Sequence, residues 1–158
     1  MKKILFVCTG NTCRSPMAAG IFNHLAEEIG LDAKAFSRGI AVYSTSPATD
    51  KAVSAAGAYG VDIDSHESQN ITENDLKIAD RVYGMTEGHV RALISQFPQY
   101  KDKIFSIPTG DIPDPYGGSL EIYEEIARRI SLAIKNILSS LKAGDEGSDG
   151  DKNKAYDL

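Results

Sequence analysis

A cysteine thiol and an arginine guanidinium, which can donate two hydrogen bonds to a phosphate, lie close together near the start of the chain. They belong to residues 7–16, whose sequence is Val-Cys-Thr-Gly-Asn-Thr-Cys-Arg-Ser-Pro. Cys8 can supply a thiolate nucleophile, and the planar guanidinium of Arg14 suits two oxygens of one phosphate. A thiolate, a run of backbone amides and a guanidinium around one small space predict nucleophilic attack on phosphorus.

The segments on either side predict a strand before this loop and a helix after it. Residues 4–7 form an apolar run, and residues 17–29 are amphipathic. A turn between a buried strand and a helix directs its N–H groups inward, with the positive end of the helix dipole behind them. We expect this field to bind an anion and to lower the pKa of the Cys8 thiol. Ser15 is expected to be the N-cap, with Pro16 at the first helical position.

An ordinary turn with a buried cysteine is the alternative, since a lone cysteine usually fills space in a core. That alternative requires Cys8, a glycine, Arg14 and the Ser-Pro pair to occur together by chance. We therefore favour the anion site.

A thiolate that attacks phosphorus needs a second group to protonate the leaving atom. Residues 108–118 form a loop rich in Pro, Gly and Asp, and Asp114 in this loop has a proline on each side that restricts its backbone. The loop follows the fourth predicted strand, so it can overhang the same sheet edge as Cys8. Asp111 is the competing acid, and Asp-Pro also occurs in ordinary turns, so these residues alone leave the choice open.

Strands and helices alternate along the chain. Strands are predicted at residues 3–7, 33–37, 81–85 and 103–106. Helices are predicted at residues 16–28, 49–59, 87–96 and 119–141, and a short one opens at residues 72–75. This alternation implies an α/β fold with a right-handedly wound parallel sheet, whose ligands bind beyond the carboxyl ends of the strands. Cys8 lies at such an end.

Apolar stripes at helical spacing predict the buried faces of the first and last helices. The stripes consist of Ala18, Ile21, Phe22, Leu25 and Ile29, and of Ile122, Ile126, Ile130, Ala133, Ile137 and Leu141. Thr86 is expected to cap the helix at 87–96, and Arg38-Gly39 is expected to form the turn after the second strand.

Composition indicates one soluble domain in a reducing compartment. The chain has 158 residues, of which 42% are hydrophobic and 25% charged. Its formal net charge of −5 gives no general attraction to nucleic acid or to anionic membranes. The two cysteines lie five residues apart in one loop and cannot staple a fold. The apolar run at 4–7 is too short for a signal peptide, and no run approaches the length of a membrane span, so we expect a cytoplasmic protein. We also expect it to be a monomer.

The end of the chain differs from the rest in composition. Residues 143–158 are rich in Gly, Asp, Ser, Lys and Asn and hold hardly any apolar residue, which predicts an acidic, disordered tail. This tail is either a solvated end or a docking segment.

Residues 8–16 resemble the signature of the low-molecular-weight protein tyrosine phosphatases, Cys-x5-Arg-Ser. The longer pattern Cys-x-Gly-Asn-x-Cys-Arg-Ser-Pro is specific to that family and its nearest relatives, and the similarity covers residues 2–142. The resemblance implies a single phosphatase domain at residues 1–142, with a three-layer α/β fold in which helices cover both faces of a four-stranded parallel sheet. It also implies that the partners are phosphorylated proteins and the product is inorganic phosphate.

The resemblance assigns the acid to Asp114, because the family's general acid is the aspartate of an Asp-Pro-aromatic motif before the last helix. The implied reaction has two steps. Cys8 takes the phosphoryl group while Arg14 and the loop amides hold the negative charge, and Asp114 protonates the leaving group. Asp114 then activates a water that hydrolyses the phosphocysteine. No metal or other cofactor is needed, and the histidines lack ligand spacing and are expected at the surface: His24, His66 and His89.

Other loop residues are expected to bind the substrate or to support the loop. The remaining candidates for binding are Thr9, Gly10, Asn11, Thr12, Cys13, Ser15, Tyr43 and Tyr116, and Ser37 is the candidate for support. The resemblance implies that Ser15 donates its hydroxyl to the Cys8 sulfur and that Ser37 bonds Asn11, although Arg38 departs from the family's usual alanine. Asn11 also tolerates left-handed backbone.

Cys13 has two possible roles. It can condense with an oxidised Cys8, which gives reversible protection of the nucleophile, or it can simply fill space. The aromatic pair of Tyr43 and Tyr116 is expected to form the pocket wall by analogy with the family, and such walls suit a phenyl ring or a guanidinium equally well.

Thr12 discriminates between substrates within this family. Tyrosine-specific members usually have isoleucine here, whereas bacterial members that act on phosphoarginine resemble the Cys-Thr-Gly-Asn-Thr-Cys-Arg-Ser of this chain. Threonine is shorter and brings a hydroxyl that can meet a guanidinium N–H or a water. We therefore favour protein phosphoarginine, with phosphotyrosine as the alternative. Residues 114–119 also resemble the arginine-phosphatase pattern, although phenylalanine is typical at Tyr116.

Two other protein classes have similar loops. Thioredoxin-linked arsenate reductases need further cysteines downstream, and none follows Cys13. A phosphate-binding adaptor would lack the nucleophile or the acid, and Cys8, Arg14 and Asp114 are all present.

Overall fold

Four strands and five α-helices follow one another along the part of the chain that the computed structural model describes, residues 1–143. The strands are β1 (Lys2–Cys8), β2 (Ala33–Gly39), β3 (Arg81–Gly84) and β4 (Ile104–Ser106). The helices are α1 (Arg14–Glu28), α2 (Asp50–Gly57), α3 (Glu73–Ile78), α4 (Glu87–Gln96) and α5 (Leu120–Lys142). A 3₁₀ helix, Pro98–Lys103, joins α4 to β4.

The strands form one sheet in the order β2-β1-β3-β4, and all neighbouring pairs are parallel. The predicted four-stranded parallel sheet is therefore confirmed. β1 is an inner strand, and its last residue, Cys8, is in register with Gly39 of β2. Cys8 consequently lies at the carboxyl edge of the sheet, between the ends of β2 and β3.

Helices cover both faces of this sheet, as expected. Alternate side chains of β1 point to opposite faces, so Ile4 and Phe6 join one core cluster and Leu5 and Val7 join the other. The first cluster contains buried residues of α1, α2 and α5, and the second contains those of α3 and α4. Burial on both faces explains why residues 4–7 show no alternation of polar and apolar residues.

The predicted turn at Arg38-Gly39 is wrong, because β2 continues through both residues. Arg38 pairs with Val7 of β1, and its guanidinium Nε donates to the Asp75 carboxylate at 3.0 Å. A Cβ at Gly39 would lie 2.5 Å from the carbonyl oxygen of Thr9. The glycine is the last residue of β2, and it is required there by the close approach of the loop that follows β1.

Two residues of the predicted stripes are exposed. Ile29 is 45% exposed because it lies just beyond the last residue of α1. Ile122 is 49% exposed, since the buried face of α5 is centred on Tyr123 and Ala127 and Ile122 lies about a quarter turn away. The other predicted stripe residues are buried except Leu25, which is partly buried and packs against the core.

Within residues 1–143, no helix combines the length and the apolar character that crossing a bilayer requires. The predicted acidic tail lies outside these described residues, apart from Ala143.

Candidate active site

The loop between β1 and α1 is shaped by Asn11, which has a φ of 58° and so adopts the left-handed backbone expected of it. Its side chain is fully buried and held on both ends. The amide nitrogen donates to the hydroxyls of Ser15 at 2.8 Å and Ser37 at 3.0 Å, and the amide oxygen accepts from the Gln69 N–H at 3.0 Å. The contact expected between Ser37 and Asn11 is therefore present.

His66 also supports the loop, through a hydrogen bond from Nε2 to the Asn11 carbonyl at 2.7 Å. His89 is buried and lies 2.9 Å from the Thr9 hydroxyl. The expectation of surface histidines is therefore wrong for His89, whereas His66 is half-buried and His24 lies 3.5 Å from Glu28 at the surface. Among residues 1–143 there is no cluster of His, Cys, Asp or Glu that could hold a metal ion.

Cys8 is 2% exposed, and its sulfur lies 2.8 Å from the Ser15 hydroxyl oxygen. That oxygen already accepts a hydrogen bond from Asn11, so its own hydrogen can be donated either to the sulfur or to the Arg38 carbonyl, which lies farther away at 3.5 Å. Burial raises the pKa of the Cys8 thiol above its ordinary value, although Ser15, Arg14 and the Asn11 amide each lower it. The expected depression of this pKa is therefore wrong in sign, because the sequence indicates the stabilising groups but not the depth of burial.

Ser15 is not the N-cap of the helix. The helix α1 begins at Arg14, the cap residue is Cys13, and its side chain makes no capping hydrogen bond. Ser15 thus lies in the first turn with its hydroxyl directed at Cys8, and Pro16 occupies a position where a helix needs no N–H. Without a side-chain cap, the first N–H groups of the helix remain available to an anion in the loop.

Replacing Ser15 by alanine removes the donor that faces the sulfur. We expect the pKa of Cys8 to rise further and alkylation of the thiol by iodoacetamide at neutral pH to slow about tenfold, as the loss of a hydrogen bond to an ionised group implies. Alkylation rates measured against pH test this expectation, with the exposed Ser54→Ala as the matched control. An unchanged pH profile in Ser15→Ala would show that this hydroxyl does not stabilise the thiolate.

Arg14 is 6% exposed and is fixed by the loop that precedes α5. Its Nη1 donates to the Ile112 carbonyl at 3.0 Å, and Nη2 lies 4.0 Å from a carboxylate oxygen of Asp114. The Ile112 N–H in turn donates to the Met85 carbonyl at the end of β3 at 2.9 Å. The sheet edge, the acidic loop and the guanidinium are therefore connected.

The two candidate acids lie in different surroundings. Asp111 accepts a hydrogen bond from the backbone N–H of Glu87 at 2.9 Å, at the start of α4. Asp114 borders the same cavity as Cys8 and accepts from the Tyr116 N–H at 3.0 Å, which fixes its orientation. The geometry therefore favours Asp114 as the acid.

A cavity of about 230 Å³ lies over the sulfur. It is lined by Cys8, Thr9, Gly10, Asn11, Thr12, Cys13, Arg14, Asp114 and Tyr116. Tyr43, by contrast, is 95% exposed and borders a separate groove next to Ser68 and Asn70. The expectation that Tyr43 lines the pocket is wrong, because a hydrogen bond from the Val42 N–H to the Asn70 side chain holds this segment towards residues 68–70.

Cys13 packs beneath the loop as a free thiol. Its sulfur lies 3.5 Å from the Tyr123 hydroxyl and 3.6 Å from that of Thr49. These contacts fit the space-filling role, and condensation with an oxidised Cys8 stays a prediction.

The sequence analysis did not predict the contact of His89 with the loop. The spacing Thr86-x-x-His89 at the start of a helix is the local pattern that could have indicated that His89 lies near a capping hydroxyl.

Three comparisons relate this geometry to known proteins. A family model described as low molecular weight phosphotyrosine protein phosphatase matches residues 3–146. The protein-arginine-phosphatase of Bacillus subtilis (strain 168) is 37% identical, over 88% of this chain and 96% of its own. The low molecular weight protein tyrosine phosphatase from T. tengcongensis has a TM-score of 0.85 and 44% identity, over 89% of this chain and 99% of its own.

A further solved structure is similar over most of the chain. It is the YwlE arginine phosphatase in a Cys-to-Ser mutant with a phosphorylated active-site serine, with a TM-score of 0.84 and 37% identity over 89% of this chain and 95% of its own. The predicted enzyme class, a cysteine-dependent protein phosphatase, agrees with the names of these relatives. The chain belongs to the low molecular weight phosphotyrosine protein phosphatase family.

Proposed function

We propose that this protein hydrolyses phosphoarginine side chains of proteins through a phosphocysteine intermediate. The observation that carries the proposal is Thr12, a half-buried residue on the wall of the cavity that also contains Cys8 and Asp114. The relatives named as arginine phosphatases support it.

The first step transfers the phosphoryl group to sulfur. The Cys8 thiolate attacks phosphorus, the bond from phosphorus to the arginine nitrogen breaks, and Asp114 gives its proton to that nitrogen. The guanidinium of Arg14 and the loop N–H groups face the oxygens on which negative charge spreads. Ser15, 2.8 Å from the sulfur, stabilises the thiolate against the effect of burial.

The second step returns the enzyme to its starting state. Asp114, now a carboxylate, takes a proton from a water that attacks phosphorus, and the sulfur–phosphorus bond breaks. The products are inorganic phosphate and the Cys8 thiolate, to which Ser15 again donates. The residues that carry both steps need no metal or other cofactor.

The preference for a guanidinium depends on the side chain at position 12. A threonine hydroxyl can accept a hydrogen bond from a guanidinium N–H, whereas isoleucine offers only methyl groups and takes more space. A site that bonds a substrate polar group strongly disfavours an analogue without that group. Phosphotyrosine lacks the N–H groups that Thr12 would bond.

We therefore expect wild type to prefer a phosphoarginine peptide over a phosphotyrosine peptide of matched sequence, and Thr12→Ile to reverse that preference. Thr12→Val separates the two causes, because it removes the hydroxyl at nearly constant volume; we expect it to lose about tenfold in kcat/KM on phosphoarginine alone. The measurement is kcat/KM for both peptides with all three proteins. A wild type that prefers phosphotyrosine would contradict the proposal.

Tyrosine phosphatase activity is the second candidate. Tyr116 borders the cavity and is 74% exposed, so its ring is free to stack on a flat substrate such as a phenyl group. The relative from T. tengcongensis carries the tyrosine phosphatase name. The same kinetic comparison separates the two candidates, since the chemistry at Cys8 is common to both.

A further inference from the structure

His89 connects the anion-binding loop to the start of α4 through two hydroxyl groups. Its Nε2 lies 2.9 Å from Thr9 Oγ1, and its Nδ1 lies 2.9 Å from Thr86 Oγ1. His89 itself is 5% exposed, and each of its ring nitrogens faces one of these two hydroxyls. One of the two partners, Thr9, borders the cavity over Cys8.

The ring holds one proton at physiological pH. Burial lowers the pKa of His89 to about 4, and the charge of Arg14 lowers it as well, against the opposing effect of Asp111 and Asp114. A neutral imidazole has one N–H and one acceptor nitrogen. It therefore donates to one of the two threonines and accepts from the other.

Thr86 favours one of the two tautomers. Its oxygen already accepts the backbone N–H of His89 at 3.2 Å, as the N-cap of α4. If its hydroxyl donates to Nδ1, the oxygen has one incoming and one outgoing hydrogen bond. The opposite tautomer would make the same oxygen accept from two N–H groups and direct its own hydrogen elsewhere.

We propose that His89 is a positioning residue that turns the hydroxyl hydrogen of Thr9 towards the phosphoryl group of the substrate. The hydrogen bonds run in one direction, from Thr86 Oγ1 to Nδ1, from Nε2 to Thr9 Oγ1, and from Thr9 Oγ1 to a phosphoryl oxygen. Thr9 then adds a side-chain donor to the loop N–H groups. This inference rests on the proposed function, because it requires a phosphoryl group in the loop.

The tautomer can be observed directly. The imidazole ¹⁵N spectrum of wild-type protein saturated with inorganic phosphate distinguishes a protonated nitrogen from an unprotonated one. We expect His89 to have the proton on Nε2 and not on Nδ1. A proton on Nδ1 would overturn the inference while leaving phosphate binding intact. Failure of phosphate to bind in the loop would instead overturn the proposed function, and the inference with it.

A double-mutant cycle tests the consequence for catalysis. We expect Thr9→Val and His89→Leu each to lower kcat/KM for an aryl phosphate about tenfold, and the double variant to lose no more than either one. His89→Gln, whose amide N–H can replace Nε2–H, should recover most of the loss. Losses that multiply in the double variant, or a His89→Gln as impaired as His89→Leu, would mean that His89 acts only in packing. Thr9→Val and His89→Gln decide the matter should His89→Leu not fold.

Discussion

Replacing Cys8 by serine is expected to abolish turnover of every phosphorylated substrate while phosphate binding is retained. A serine hydroxyl is a far weaker nucleophile than a thiolate, so we expect kcat/KM to fall about 10⁴-fold or more. Oxygen and sulfur are similar enough in size for Arg14 and the loop amides to keep their positions. The measurement is kcat/KM on an aryl phosphate, together with the Kd of inorganic phosphate from calorimetry.

Acid quenching of wild type during turnover tests directly whether a phosphocysteine intermediate forms. Radiolabelled phosphoryl groups should remain on the protein as phosphocysteine, and Cys8→Ser should retain none on sulfur. Cys13→Ser is the matched control, since it changes the other thiol of the same loop and should keep most of the activity. Turnover that survives in Cys8→Ser would remove this residue from the mechanism.

Replacing Asp114 by asparagine is expected to lower kcat by about 10²–10⁴-fold, the range typical of a lost general acid. Asparagine keeps the shape of the side chain and can still accept from the Tyr116 N–H, but it has no proton of the required acidity to give. Asp111→Asn is the matched control on the same loop, because Asp111 contacts the start of α4. We expect its effect on kcat to be small.

Substrates whose leaving groups differ in basicity distinguish a general acid at Asp114 from a residue that only maintains the shape of the loop. The deficit of Asp114→Asn should shrink for aryl phosphates whose phenol is strongly acidic, because such a phenolate departs without a proton. Steady-state kcat/KM across a series of substituted phenyl phosphates measures this dependence, because it reports the transfer to sulfur and not the later hydrolysis of the phosphocysteine. An equal deficit for all phenols, or an equal loss in Asp111→Asn, would contradict the assignment of the acid.

The sequence allowed the elements nearest the thiol to be predicted because their signals are local. The apolar run before Cys8 predicts a strand buried on both faces, and the amphipathic period after Pro16 predicts the helix. The α4 helix and its Thr86 cap were predicted at their observed positions. Short-range periodicity and capping chemistry are sufficient for such elements.

Several of the errors concern contacts between residues far apart in the chain. His66 reaches Asn11 across 55 residues and His89 reaches Thr9 across 80, and no local pattern indicates such pairs. The direction of Tyr43 likewise depends on Asn70, whose side chain accepts a hydrogen bond from the N–H of the preceding residue, Val42. The predicted shift in the pKa of Cys8 had the wrong sign for a related reason, since burial of the thiol depends on the whole fold.

The hydrogen bonds from Arg14 to Ile112 and from Ile112 to Met85 affect the free energy of substrate binding. The segment that carries Asp114 is already held against the sheet by these hydrogen bonds. A phosphorylated side chain can therefore contact Arg14 and Asp114 without first ordering this segment. The entropy of that arrangement is lost when the protein folds and not when the substrate arrives. A site that is assembled around the phosphoryl group before binding contacts the part that all phosphorylated side chains share. Under the proposed function, we therefore expect discrimination among these side chains to depend on the cavity wall at Thr12 and Tyr116.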